Sequence, residues 1–209
     1  MQARAGWMVH ENPTFIKTGI WYNRDMLKEN GFWKVCEALD CELRINLLQY
    51  LMAVERSEFP CVNELAEKFQ VSAAAMSVHL KKLASAGLVV PKRADRRVYY
   101  RAFAATVKGE KVLASLRRMF ESLPNEERFC ELRAYAHALS HPRRHLIVRY
   151  LHRKPGLSVA KLALRTAMPP HTVDRLWGEL GKAHIVDLNG VVFVPEKEPE
   201  ATLLELTLA

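Results

Sequence analysis

Two stretches of similar sequence lie one hundred positions apart in this chain. ALDCELRINLLQYL occupies residues 38–51 and ALSHPRRHLIVRYL occupies residues 138–151. Most apolar positions match in kind, and five positions are identical: Ala38/Ala138, Leu39/Leu139, Arg44/Arg144, Tyr50/Tyr150 and Leu51/Leu151. A repeat of this kind indicates one structural unit used twice, and any fold assigned to the chain has to account for it.

The length of 209 residues and the apolar fraction of 49% fit one large or two small packed domains. The sequence has no apolar run long enough to span a membrane and no signal-peptide core at its start. We therefore expect a cytoplasmic protein without a membrane partner. No CxxC pair occurs, so we expect buried or idle thiols at the four cysteines, which are Cys36, Cys41, Cys61 and Cys130.

The net charge of +8 is concentrated in two segments. Residues 81–101 contain a single acid, Asp95, and seven basic residues: Lys81, Lys82, Lys92, Arg93, Arg96, Arg97 and Arg101. Residues 133–165 contain no acid and eight basic residues: Arg133, Arg143, Arg144, Arg149, Arg153, Lys154, Lys161 and Arg165. Clustered basic side chains favour an acidic polymer as partner, because they replace the counterions around phosphates.

The first unit has the pattern of three helices followed by a hairpin. Apolar spacings of three and four predict a core-facing helix over 38–52. Asn63 is expected to cap a short second helix, and Ser72 a third helix that ends at Gly87. In that third helix the residues predicted to point inward are Met76, Leu80 and Leu83. LVV at 88–90 and VYYR at 98–101 then predict two strands joined by a basic turn, which is the order of a winged helix-turn-helix.

The stretch ELAEKFQVSAAAMSVHLKKLASAGLVVPKRADRRVYYR, residues 64–101, resembles the helix-turn-helix and wing of ArsR-type transcriptional regulators. The likeness includes the run S-x-H-L-x-x-L-x-x-A-G-L-V. The later stretch resembles the same family's first helix, A-L-S-x-P-x-R, through Ala138, Leu139, Ser140, Pro142 and Arg144. The resemblance implies a regulator whose partner is double-stranded DNA, with the fold present twice and a different part of the family pattern kept in each copy.

In the second copy, Leu162, Ala163, Val173, Trp177 and Leu180 take the places of Leu65, Ala66, Met76, Leu80 and Leu83, and IVDLNGVVFVP is expected to form a short hairpin. Pro142 should open a new helix capped by Ser140, after an earlier helix ends near Leu139. That break places His137 and His145 on different elements, so they are not read as a metal stripe with His141.

The predicted reading head has short outward side chains. Ala74 and Val78 offer apolar contact, for example to a thymine methyl, and Ser77 is the best candidate for a base contact. Lys81 and Lys82 should reach phosphates, and the wing's Arg93, Arg96 and Arg97 could grip phosphates or enter a minor groove. The full set of predicted DNA-binding residues is Ser72, Ala74, Ser77, Val78, Lys81, Lys82, Lys92, Arg93, Arg96 and Arg97. The alternative is that the basic turn is only solvated surface.

The second copy should read DNA poorly. Its helix over 170–182 mixes Arg175 and Lys182 with Asp174 and Glu179, and its wing has no basic residue. We hypothesise that this copy supplies, within one chain, part of the interface that a second subunit supplies in ArsR-type dimers. Between the copies, a helix with an apolar face is either a homodimer interface or buried within the chain; the face is Val107, Val112, Leu113, Leu116, Met119, Phe120 and Leu123.

Sensing and catalysis find little support in the sequence. Many ArsR-type proteins carry a metal-sensing C-V-C pattern, whereas this chain has Cys61-Val62-Asn63, and a lone thiol is a weak site for a soft metal. Motifs of phosphate loops, nucleophile elbows and zinc proteases do not occur, so we expect no enzyme and no cofactor. A protein- or RNA-interaction module of winged-helix type is the alternative function.

The expected fold class is mainly α with small β-hairpin wings, as tandem winged helix-turn-helix domains joined by helices. The expected divisions are an aromatic-rich arm over 1–34, a DNA-reading domain over 35–103, a helical connector over 104–134, a second winged helix over 135–196 and a tail over 197–209. The chain should act as a homodimer or as an internal pseudo-dimer.

Overall fold

A computed structural model describes residues 32–54, 59–94, 97–104, 106–121, 126–195 and 199–208. Across these ranges the chain forms ten helices and one two-stranded antiparallel sheet, which confirms the predicted mainly-α class with a small hairpin. The first half contains α1 (Trp33–Leu39), α2 (Glu42–Ala53), α3 (Val62–Lys68), α4 (Ala73–Ser85), β1 (Val89–Ala94), β2 (Arg97–Ala102) and α5 (Val107–Glu121). The second half contains α6 (Glu126–Leu139), α7 (Pro142–Arg153), α8 (Val159–Thr166), α9 (Pro170–Lys182) and α10 (Glu200–Leu208). None of the helices in the described ranges has the length and apolar character that a membrane span requires.

The prediction of a helix over 38–52 places its start wrongly, because the chain forms two helices there, with a break between Leu39 and Glu42. α1 ends at Leu39, and Cys41 is extended, with φ −160° and ψ 122°. The buried Arg44 side chain closes this break, since its Nε donates to the carbonyl oxygen of Ala38 at 2.6 Å and its Nη2 to that of Glu37 at 2.7 Å. Carbonyls at the end of a helix have no partner within the helix, so Arg44 supplies the donors that α1 lacks.

The second half has the same arrangement at the break between α6 and α7. Arg144 is buried, and its Nη2 donates to the carbonyl oxygen of His137 at 2.8 Å. The predicted end of the first helix near Leu139 is confirmed, and Pro142 opens α7. The break also places His137 on α6 and His145 on α7, as predicted.

Two of the predicted helix caps are wrong. His141, not Ser140, is the N-cap of α7, because His141 Nδ1 accepts from the backbone N–H of Arg143 at 3.1 Å. The Ser140 hydroxyl instead donates back to the carbonyl oxygen of His137 at 2.8 Å. In the first half, Cys61 is the N-cap of α3, and Asn63 lies exposed inside the helix.

The helix-turn-helix itself follows the predictions. Ser72 caps α4, with its Oγ accepting from the backbone N–H of Ala75 at 3.1 Å. The inward positions of α4 are fully buried, namely Met76, Leu80 and Leu83. Gly87 follows α4 with φ +72°, a left-handed conformation that glycine adopts without a steric penalty.

The hairpin is longer than predicted and is fixed to the helices at its base. β1 and β2 pair from Val89 opposite Ala102 to Ala94 opposite Arg97. The buried Tyr100 donates its backbone N–H to the carbonyl oxygen of Pro60 at 3.0 Å, which ties β2 to the start of α3. The hairpin therefore leaves the helices from an ordered base.

Lengths and backbone turns of the first half recur in the second half. α2 and α7 have 12 residues each, and α4 and α9 have 13 each. Residues with a left-handed backbone conformation also recur at a constant separation along the chain. Gln70, before α4, corresponds to Ala167, before α9, and Gly87, after α4, corresponds to His184, after α9. The predicted second hairpin is much reduced, however, because residues 185–195 form only one isolated bridge, between Val186 and Val192.

The two halves pack on each other through their helices. α1 lies against α6, and α10 lies against α5, α6 and α7. Polar contacts cross the same boundary: Asp40 Oδ2 lies 2.8 Å from His137 Nδ1, and Lys111 Nζ lies 2.9 Å from Glu205 Oε1. The segment assigned to a tail thus contains α10, a helix that was not predicted and that buries Leu203, Leu204 and Leu206.

The apolar face of α5 is confirmed for four of its residues, since Val112, Leu113, Leu116 and Met119 are buried. Phe120 is half-buried and contacts Phe129 of α6 at 5.9 Å between ring centroids. Val107 is exposed at the first turn of α5, so its predicted place on the face is wrong. Leu123 lies outside the described residues, as do residues 1–31 of the aromatic arm, whereas Phe32 is buried beside the ring of His145.

We predict that Arg44→Met lowers the free energy of unfolding by about 2 to 4 kcal/mol, because it leaves two carbonyl groups at the end of α1 without a donor. Urea denaturation followed by circular dichroism measures the change. Arg153→Met, at an exposed position at the end of α7, is the control and should change stability by less than about 0.5 kcal/mol. Equal stabilities of the two variants would contradict this role for Arg44.

We predict opposite effects for two glycine-to-alanine substitutions. Gly87→Ala should destabilise the protein by roughly 1 kcal/mol, because alanine is strained at φ +72°. Gly178→Ala should stabilise it by about 0.5 to 1 kcal/mol, because Gly178 lies inside α9 and an added Cβ meets no atom within 4 Å. The same urea titration measures both, and a stabilising effect of Gly87→Ala would contradict the assigned turn.

Candidate nucleic-acid interface

The outward face of α4 presents small apolar side chains followed by two lysines. Ala74, Val78, Lys81 and Lys82 are exposed, on the side opposite the buried residues of the helix. Val78 is 54% exposed, which leaves its methyl groups free for an apolar contact. The structure therefore brings these four predicted residues together on one helix face.

The serines of α4 are less available than the sequence indicated. Ser77 is half-buried, and its Oγ donates to the carbonyl oxygen of Ala73 at 2.8 Å. Its hydroxyl proton is therefore occupied, and only acceptor capacity remains for a base edge. Ser72 is exposed, but its Oγ serves as the cap of α4. Both serines thus have a structural role in the helix.

Lys82 marks the point where α4 meets α1. Its Nζ lies 3.1 Å from Glu37 Oε1, and both side chains are well exposed. An exposed pair of this kind contributes little to stability, so a phosphate can compete for the lysine. For Lys81, the described part of the chain contains no ion-pair partner.

The hairpin carries the remaining basic residues. Lys92 and Arg93 are exposed on β1, and Arg97 is exposed at the start of β2 with its Nη1 3.9 Å from Glu64 Oε1. Arg96 lies outside the described residues. The hairpin is not folded under the second half, and its described cations face solvent.

Arg101 is a basic residue at this surface that the predicted site left out. Its guanidinium carbon lies 4.5 Å from the ring centroid of Phe103 and 5.7 Å from that of Phe59. Both distances fall within the range of a cation–π contact. The spacing of Arg101 and Phe103 on one side of a strand was the available signal, whereas the approach of Phe59 depends on the fold.

His79 lies on the flank of α4 and is half-buried. Its Nδ1 is buried and has no hydrogen-bond partner among the described residues. Burial lowers the pKa of His79, and the nearby positive charges of Arg44 and Lys82 lower it further. A neutral ring packed on the inner side of the helix fits the structural role expected for His79.

The corresponding face of α9 is built differently. Glu179 is held by two guanidinium groups, that of Arg175 on its own helix and that of Arg144, whose Nη1 lies 2.9 Å from Glu179 Oε2. The segment after α9 exposes apolar side chains and has no basic residue; they are Leu188, Val191, Phe193 and Val194. This face therefore differs from that of α4 in charge and in the apolar side chains that follow it.

The lone cysteine of the C-V-N sequence lies at the start of α3. Cys61 is buried at the cap of α3, and its backbone N–H donates to Glu64 Oε2 at 2.8 Å. In the part of the chain that the structure describes, no three His, Cys, Asp or Glu side chains are grouped so that they could hold a metal ion.

Comparison with known proteins matches one region of the chain. The family model described as bacterial regulatory protein, arsR family, matches residues 41–90, which contain α2, α3, α4 and the beginning of β1. No curated protein and no solved structure matches the chain. Residues 41–90 therefore carry an ArsR-family helix-turn-helix domain, and this domain supports a DNA-binding transcription regulator of a general kind.

Proposed function

We propose that the chain is an ArsR-like transcriptional regulator that binds duplex DNA through α4 and the β1–β2 hairpin. The observation that carries the proposal is the set of exposed basic side chains on α4 and on the hairpin that packs against it, namely Lys81, Lys82, Lys92, Arg93 and Arg97. The matched family domain supplies the buried stripe that holds α4 in place. The function is binding, with no catalytic step assigned.

In this proposal α4 enters the major groove, which is wide enough for a helix. Ala74 and Val78 give apolar contacts, and Ser77 offers an acceptor. Few contacts to base edges are then available, so most of the affinity has to come from phosphate contacts of the lysines and of the hairpin arginines. Arg101 is a further exposed cation of the hairpin, and Arg96 is included on the strength of the sequence alone.

We propose further that α6 to α10 form a second, degenerate copy of the winged-helix unit, so that the chain is an internal pseudo-dimer. The shared helix lengths, the recurring left-handed turns and the Arg44 and Arg144 contacts to helix-end carbonyls support this reading. The packing of α1 on α6 and of α5 on α10 supports an interface made within one chain. The second copy then contributes packing and little base reading.

We predict that Lys92→Glu combined with Arg93→Glu weakens DNA binding by at least about tenfold, because two phosphate contacts become repulsive. The slope of log affinity against log salt should fall by about two. The anisotropy of a labelled duplex, titrated at several salt concentrations, measures both.

The matched control is Arg153→Glu combined with Lys161→Glu, which makes the same change of charge at exposed positions of the second half. This control should weaken binding only modestly. The opposite ranking would assign DNA contact to the second half. A flat salt slope for the unaltered protein would favour the protein- or RNA-interaction module, toward which the exposed apolar residues after α9 point.

We predict that the free protein has the mass of one chain in solution, because helices that pair between subunits in a dimer are paired here within the chain. Sedimentation equilibrium over a wide range of concentrations measures the mass, with and without duplex DNA. A mass of two chains at every concentration would contradict the internal pseudo-dimer and favour a homodimer.

A further inference from the structure

A cleft of about 810 Å³ lies beside the break between α6 and α7. α6 and the end of α9 form its walls, and Asp40, from the break between α1 and α2, reaches it from the first half. A volume of this size fits a small molecule, since ligand pockets span roughly 300 to 1,000 Å³. It is too small to receive a duplex.

The charged groups that line the cleft are mainly cationic. Arg133, Arg144, Arg175 and Lys182 line it, against the acids Asp40 and Glu179. With neutral histidines, these side chains sum to two positive charges. Burial lowers the pKa of His141, which also lines the cleft, and the charges of Arg144 and Arg143 lower it further. The charged side chains that line the cleft therefore carry a net positive charge.

The two acids of the cleft are already bound to protein groups. Asp40 Oδ2 lies 2.8 Å from His137 Nδ1, and Glu179 contacts both Arg144 and Arg175. One carboxylate between two guanidinium groups shows that the site suits a carboxylate or a phosphate oxygen.

Donor capacity remains in the cleft after these contacts are made. Lys182 has no ion-pair partner within the described ranges, and Arg133 is only 3.4 Å from Glu42 at an exposed position. The Nε of Arg144 is buried and has no hydrogen-bond partner among the described residues, and the residue as a whole is only 8% exposed. The donors that a ligand in the cleft can reach are therefore those of the exposed Lys182 and Arg133.

Small apolar side chains complete the lining. Ala134 and Ala138 come from α6, Leu176 from α9, and Ala183 follows α9. They give room and apolar contact to the body of a ligand whose charged head meets the cations. The cysteine and histidines do not favour a metal here, since His137 is bound to Asp40 and no group of three metal-binding side chains occurs in the described ranges.

We propose that this cleft binds a small organic anion with a carboxylate or phosphate head and a short apolar body. Arg133 and Lys182 bind the head, and Ala134, Ala138 and Leu176 contact the body. The site is distinct from the DNA-binding surface on α4 and the hairpin, so the two proposals can fail separately.

Isothermal titration of the full chain with phenyl phosphate and with benzoate, at constant ionic strength, tests the site. We expect saturable binding of at least one of these two anions, and much weaker binding of neutral benzyl alcohol. Failure of both anions to bind, or equal affinity for benzyl alcohol, would overturn the proposal.

Two double variants test whether the anion binds in this cleft. Arg133→Ala combined with Lys182→Ala should weaken the binding of the anion about tenfold or more, because it removes two cationic donors. Lys161→Ala combined with Arg165→Ala removes the same charge from exposed positions of α8 outside the cleft and should leave the affinity unchanged. Equal losses in the two double variants would overturn the assignment.

Glu179→Gln should act in the opposite direction and strengthen the binding of the anion, because it removes the internal negative charge held by Arg144 and Arg175. A purely structural role of Glu179 would not produce tighter binding. The same variants are titrated with labelled duplex DNA. Loss of DNA binding in the Arg133 and Lys182 variant, without any anion binding by the unaltered protein, would make the cleft a phosphate-backbone surface and overturn the proposal.

Discussion

The contact on which the fold depends is a buried guanidinium group that donates hydrogen bonds to carbonyl oxygens at a helix end. Arg44 does this at the end of α1, and Arg144 does it at the end of α6. Each contact sets the angle at which the chain turns into the next helix, α2 or α7. Because α1 packs on α6, these two turns also set how the halves meet.

The two halves use a similar framework for different surfaces. In the first half, the lysines of α4 stay near solvent, and Lys82 has only an exposed acid beside it. In the second half, Arg144 is shared between the helix end and Glu179 of α9, so the charges of Glu179 and Arg175 are paired within the protein and border a cleft. The outward face of α4 is thus basic and solvent-exposed, whereas that of α9 carries an acid held by two guanidinium groups.

Local signals made much of this structure predictable. The spacing of Met76, Leu80 and Leu83, the cap at Ser72 and the left-handed turn at Gly87 all have short-range causes, and the structure has each of them. The break at Cys41 has no proline or glycine to mark it and depends on the side chain of Arg44, three residues later. α10 and the cleft between α6 and α9 depend on contacts between distant segments, so no local pattern indicated them.

The packing of α1 on α6 within one chain has a consequence for how a target sequence can change over time. Identical subunits related by a two-fold axis carry every substitution twice and therefore favour inverted repeats in the DNA they bind. The two halves of one chain are encoded separately, so a substitution in one half is not repeated in the other. In the internal pseudo-dimer proposed above, the bound DNA element need not be symmetric, and the second half can acquire a new ligand while the first half keeps its site.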